Sequence, residues 1–147
     1  MGLFDKLLGN NTVKDALTPA EAFAAITLSA LASDGYLSEE EARGINLALS
    51  RMKLFRSYPS DVMQGMFDKL LGTLRREGMD SLFNTAKESL PFELREAAFA
   101  VATDLILADG VIAEEEQDFL NDLFLGLGLD SEVATQIVQV MMIKNRG

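Results

Sequence analysis

Apolar side chains recur at spacings of three and four along almost the whole chain, and stretches of alternating Val, Ile and Thr are missing. That pattern predicts helices and no strands. Spacing and breakers place the helices at about 2–8, 19–33, 38–54, 59–77, 79–89, 91–108, 113–127 and 131–144. Thr18, Pro19 and Glu21 supply a capping side chain, a proline at the first helical position and a returning acid; Pro91 with Glu93 opens another helix, and Asp130 caps the last. Connections are short, which favours antiparallel packing of neighbours. The expected fold is all-α, a compact bundle of about seven to eight helices in one domain over 1–147, a size sufficient for one ordinary core.

Two repeats are written into the chain. The hexapeptide FDKLLG occurs at 4–9 and again at 67–72. The first copy belongs to an N-terminal amphipathic segment, 1–16, in which Leu3, Phe4, Leu7 and Leu8 share a face; docking on the domain is the expectation, ahead of a partner or lipid. The second repeat is longer. SDGYLSEEE at Ser33 to Glu41 matches ADGVIAEEE at Ala108 to Glu116, an offset of 75 residues between Asp34 and Asp109. Each copy follows an alanine-rich apolar helix and precedes an amphipathic one, so the unit is a helix, an acidic turn and a helix, with repeat halves at about 17–56 and 91–130. A single hairpin of this kind cannot bury both of its apolar faces, so the halves are expected to pack on each other about a pseudo-two-fold axis, bringing the turns close together.

Composition narrows the chemistry. Thirteen Lys+Arg against 23 Asp+Glu give a net charge of −10, and Cys, His and Trp are all absent. Thiol chemistry, Ser-His nucleophiles and zinc sites built on Cys or His are excluded, and any metal must be oxygen-ligated. The acidic balance opposes nucleic acid. The longest apolar run, Ala22 to Ala32, has eleven residues, short of the ~20 that span a bilayer. The opening MGLFDKLLG lacks a signal-peptide pattern, and Lys6 stands where a myristoylation signal has Ser or Thr. A cytoplasmic location is expected.

The turns carry the candidate chemistry. Asp34, Gly35, Leu37 and Glu41, and likewise Asp109, Gly110, Ile112 and Glu116, match the second half of an EF-hand calcium loop: Gly for the sharp bend, an apolar anchor, and a final Glu that reaches back as ligand. The first half is missing, because Ala30 and Ala32, or Leu105 and Leu107, hold no side-chain oxygen. Any ion would be bound weakly or shared by both turns. Helical spacing turns Glu41 inward with Ile45, Ala48 and Met52, and Glu116 inward with Leu120, Leu123 and Leu127, whereas Glu39 and Glu114 face solvent and Glu40 and Glu115 lie between. A purely structural reading competes with ligation: Asp-Gly ends one helix, and Ser38 with Glu41 forms a capping box for the next. Ala113 cannot cap, so the second copy keeps half of that box. Asp104, inside an apolar stretch, reads as a partly exposed or hydrogen-bonded carboxylate, and Met141 and Met142 as core or a docking face.

At its two turns the sequence resembles the TerB family of tellurite-resistance proteins, whose signature is an alanine-rich helix, an A-D-G-x-hydrophobic-S-x-E-E turn and an amphipathic helix, present twice. The resemblance runs from about Leu17 to Leu129, with Ser33 and Ala113 as departures. It implies a compact all-α domain, a cytoplasmic location with a peripheral one at the inner membrane face as a variant, a non-enzymatic role in tellurite and other stress, and partner proteins that include membrane-associated ones. It also implies a divalent metal, Ca²⁺ or Mg²⁺, at the turns, carried here by Asp34, Glu40, Glu41, Asp109, Glu115 and Glu116. The alternative is a metal-independent helical scaffold whose acidic turns meet basic residues of a partner.

Overall fold

The computed structural model of the protein describes residues 16–32, 37–108 and 112–147. Among them are seven α-helices and no strand: α1 (Pro19–Leu31), α2 (Glu39–Ser50), α3 (Ser60–Glu77), α4 (Met79–Ser89), α5 (Arg95–Leu107), α6 (Glu114–Gly126) and α7 (Ser131–Lys144). The segment expected at 2–8 lies outside the described residues.

The alanine-rich α1 is the centre. Thr18 opens it with the anticipated box: the Glu21 amide donates to Thr18 Oγ1 at 3.1 Å and the Thr18 amide to Glu21 Oε1 at 3.0 Å. Beyond that first turn the helix is apolar all round, as a helix enclosed on every side must be. Ala22, Phe23, Ala24, Ala25, Ile26, Leu28 and Ala30 are fully buried. Small side chains let neighbouring backbones approach closely, and α2, α3, α4, α5 and α6 all pack on it. The first helices of the two repeat halves, α1 and α5, are therefore in direct contact. Thr27 donates from its hydroxyl to Ala24 O at 2.8 Å, while the equally buried Ser29 Oγ has no partner among the described residues.

Two boundaries differ from the sequence expectation. The helix expected over 38–54 stops at Ser50, and a separate 3₁₀ turn, Lys53–Phe55, follows extended backbone at Met52. Had the helix continued, Phe55 would lie about a quarter turn away from the inward stripe of buried Ile45 and Leu49 and half-buried Met52. Breaking it lets Phe55 enter the core, where it is 1% exposed. The helix expected from 91 begins at Arg95, because Pro91 opens only a 3₁₀ turn, Phe92–Leu94, closed by the Leu94 amide on Pro91 O at 3.0 Å.

Side-chain bonds fix how the later helices run. Arg95 Nη1 donates to Leu127 O at 2.9 Å, joining the start of α5 to the end of α6 and so setting the two antiparallel. Asp104, late in α5, accepts from Asn145 Nδ2 at 2.8 Å and from Lys144 Nζ at 3.1 Å, so α7 ends where α5 ends and the two run in the same direction. Asp104 is thereby the hydrogen-bonded carboxylate the sequence suggested. In α7 only Ala134 is fully buried, and Val140, Met142 and Ile143 are exposed.

Candidate functional site at the acidic turns

Each acidic turn delivers three glutamates into the first turn of the following helix, α2 or α6. Carboxylates there face unpaired amides and the positive end of the helix dipole, so the local fold favours acids at these positions with or without a ligand. In the first copy the box is complete. The Ser38 amide donates to Glu41 Oε1 at 2.9 Å and the Glu41 amide to Ser38 Oγ at 3.0 Å. In the second copy the Ala113 amide donates to Glu116 Oε1 at 2.8 Å, but alanine offers no oxygen in return. The Glu116 amide bonds instead to Ala113 O at 3.0 Å.

Glu41 and Glu116 are half-buried at the heads of stripes that run into the core through Ile45 and Leu49, and through Leu120 and Leu123. That is the inward orientation spacing suggested. Glu39, Glu40, Glu114 and Glu115 are exposed. Asp34 and Asp109 lie outside the described residues. Among the described residues no three acids converge as a metal site would require. The donor set is all oxygen, which suits a hard cation in kind. One oxygen of Glu41 and one of Glu116 already cap backbone, so each of these glutamates has only Oε2 left to offer an ion, and Ca²⁺, which takes about six to eight ligands, would need both turns or water.

The completed and half-completed boxes make a direct comparison. Ala113→Ser restores the missing acceptor opposite the Glu116 amide and is expected to raise stability by about 1 kcal/mol. Urea unfolding measures it, and Ser38→Ala should show a loss of similar size.

The sequence reading missed a groove beside each turn. One, of about 510 Å³, lies between the start of α2 and α3 and is lined by Leu37, Glu39, Ala42, Leu71, Leu74 and Arg75 among others. The other, of about 350 Å³, lies between α6 and α7, with Ile112, Leu120, Phe124, Ala134 and Val138 on its walls and Phe99 of α5 beneath. Leu37 and Ile112 are repeat-equivalent, 75 positions apart, as are Ala42 and Gln117 at the rims. The apolar residue of each turn, read as a core anchor, is half-buried against the core and also forms a groove wall. The signal in the sequence was the surplus of apolar residues on the helix after each hairpin, Leu71 and Leu74 on one side and Ala134 and Val138 on the other.

Comparison of the chain with protein-family models, with curated proteins and with solved structures finds no match. No described helix is long and apolar enough to cross a membrane.

Proposed function

We propose that this protein is a non-enzymatic helical interaction module that engages a partner through its two acidic turns and the grooves beside them. The observation that carries this reading is the recurrence, in both repeat halves, of one arrangement: exposed glutamates at a helix start next to a groove with apolar side chains on its walls. A partner segment with apolar side chains flanked by Lys or Arg suits both parts. Apolar groups would enter the groove and cations would meet Glu39, Glu40, Glu114 or Glu115, with the net charge of −10 speeding encounter with a basic partner. A stress-response role of the TerB type, tellurite included, rests on the sequence resemblance of the turns alone. Lacking cysteine, the chain has no thiol with which to reduce tellurite or hold soft ions, so such a role would be indirect.

A second reading, a divalent cation at the turns, draws on the all-oxygen donor set. Glu40 and Glu115, with Glu41 Oε2 and Glu116 Oε2, would hold Ca²⁺ or Mg²⁺ together with Asp34 and Asp109, and the ion would offset repulsion among the acids.

Glu40→Gln with Glu115→Gln separates the two readings, because neither residue caps its helix. Under the interaction reading the double variant loses salt-sensitive capture of a basic partner, and millimolar Ca²⁺ leaves the amide signals of residues 38–41 and 113–116 in the unaltered protein where they were. Ca²⁺-dependent shifts there that vanish in the variant would establish the cation reading instead.

A further inference from the structure

Building on the interaction reading above, we infer that the partner segment is a basic amphipathic helix and that it lies in the groove between α6 and α7, not in the one between α2 and α3. α6 and α7 both pack on α5 but make little direct contact with each other, whereas α2 and α3 pack together. The gap between α6 and α7 is therefore open down to buried Phe99 of α5. Its walls are apolar: Leu120 and Phe124 on α6, Ala134 and Val138 on α7, and Ile112 at the end where α6 begins. At about 100° per residue, Met142, 49% exposed, falls on the same side of α7 as Thr135 and Val138 and prolongs this strip. From Ser131 to Met142 the helix rises about 16–17 Å, three turns. That is the length over which a docked helix presents apolar residues at i, i+3 or i+4, and i+7.

Charge selects the partner. α6 holds five carboxylates, Glu114, Glu115, Glu116, Asp118 and Asp122, and no Lys or Arg. Exposed Glu114 and Asp118 share a helix face with Asn121, which stands on the groove rim. At the other end of the groove, Asp130 and Glu132 are exposed on either side of Ser131. Among the described residues no cation lines this groove, and Lys144, the one cation of α7, is turned to Asp104 at 3.1 Å. Acids at both ends of an apolar floor suit a helix whose apolar stripe is flanked by Lys or Arg. The α2–α3 groove is built differently. Arg75 shares its wall with Glu39, and Arg43 stands one turn beyond Glu39 on α2, so a lysine entering there meets positive charge.

The test is titration of the full, isotopically labelled chain with a synthetic helical peptide of about 14 residues, carrying leucines at spacings of three and four and lysines at both ends. The expected result is saturable movement of the amide signals of Asn121, Phe124, Thr135 and Val138, weakened severalfold when salt is raised from about 50 to about 500 mM. The same peptide with glutamate in place of lysine should leave them where they were. Asn121→Lys with Thr135→Lys, both at exposed positions, should weaken binding about tenfold or more, with unchanged far-ultraviolet circular dichroism, and Glu39→Lys should alter it less than about twofold. Binding lost in Glu39→Lys but kept in the Asn121 and Thr135 variant would overturn the choice of groove and leave the interaction reading standing. A peptide that binds at neither groove would remove both. Signals that respond to the leucines without the lysines would make the groove a site for a neutral apolar ligand, and signals that move on dilution of the protein alone would assign it to a second copy of the chain; either result overturns the inference.

Discussion

Alanine in place of Phe23 is expected to lower the unfolding free energy by about 3–5 kcal/mol. Phe23 is 0% exposed at the middle of the enclosed helix α1. Its ring meets Phe55 edge-on, with centroids 6.3 Å apart and planes at 73°, and Phe55 meets Tyr58 in the same way at 5.7 Å. This row joins α1 to the 3₁₀ turn that follows α2, so truncation removes a ring from a site walled by other elements on several sides. The alanines beside it have no longer side chain to swing into the space, and the void persists rather than collapsing. Set against a total of about 5–15 kcal/mol for ordinary domains, the loss is a large share of stability. Urea unfolding should show a lower midpoint with an unchanged slope. A loss under about 1 kcal/mol would mean that α1 is not the rigid centre of the bundle.

Gly78→Ala is expected to cost about 1–3 kcal/mol. Gly78 is the single residue between α3 and α4, with φ 90° and ψ 165°, a conformation essentially restricted to glycine. A Cβ there would touch nothing within 4 Å, so the cost is backbone strain and not crowding. Gly65, also with open space around its Cβ, sits exposed inside α3. Gly65→Ala should therefore stabilise by about 0.5–1 kcal/mol. Thermal or urea unfolding of the two variants should move in opposite directions. A common sign would remove the claim that strain at the α3–α4 junction governs the first.

Much of this was legible from residues close together in the chain. The caps at Thr18 and Ser38 need only a hydroxyl and a glutamate three positions on, and both formed as the sequence suggests. The inward turn of Glu41 and Glu116 follows from helical spacing, and the half-box at Ala113 follows from its having no side-chain oxygen. The break after Ser50 was not legible, because Met52, Lys53 and Leu54 continue a tolerable helical pattern. What stops the helix is the space open to Phe55 beside Phe23, a residue from another helix. Likewise Pro91 marked a start correctly, yet whether a 3₁₀ turn or an α-helix follows depends on where Arg95 must stand to reach Leu127.

The candidate site divides along the same line. That glutamates cluster where α2 and α6 begin is a property of sequence, and so is the recurrence of that cluster after 75 residues. Their division into cappers and exposed acids follows from the same three-residue spacing, whereas the groove beside each cluster depends on how α3 and α7 lie against the hairpins.

By itself the sequence determined the helical class, the doubled hairpin and the chemistry open to a chain without thiols or imidazoles, since each of these depends on residue type and short-range spacing. Only the tertiary structure decided that α1 is enclosed while α7 leaves Val140, Met142 and Ile143 in the open. Both helices are rich in apolar residues, and which of them is surrounded is set by the number of other helices that come to rest on it.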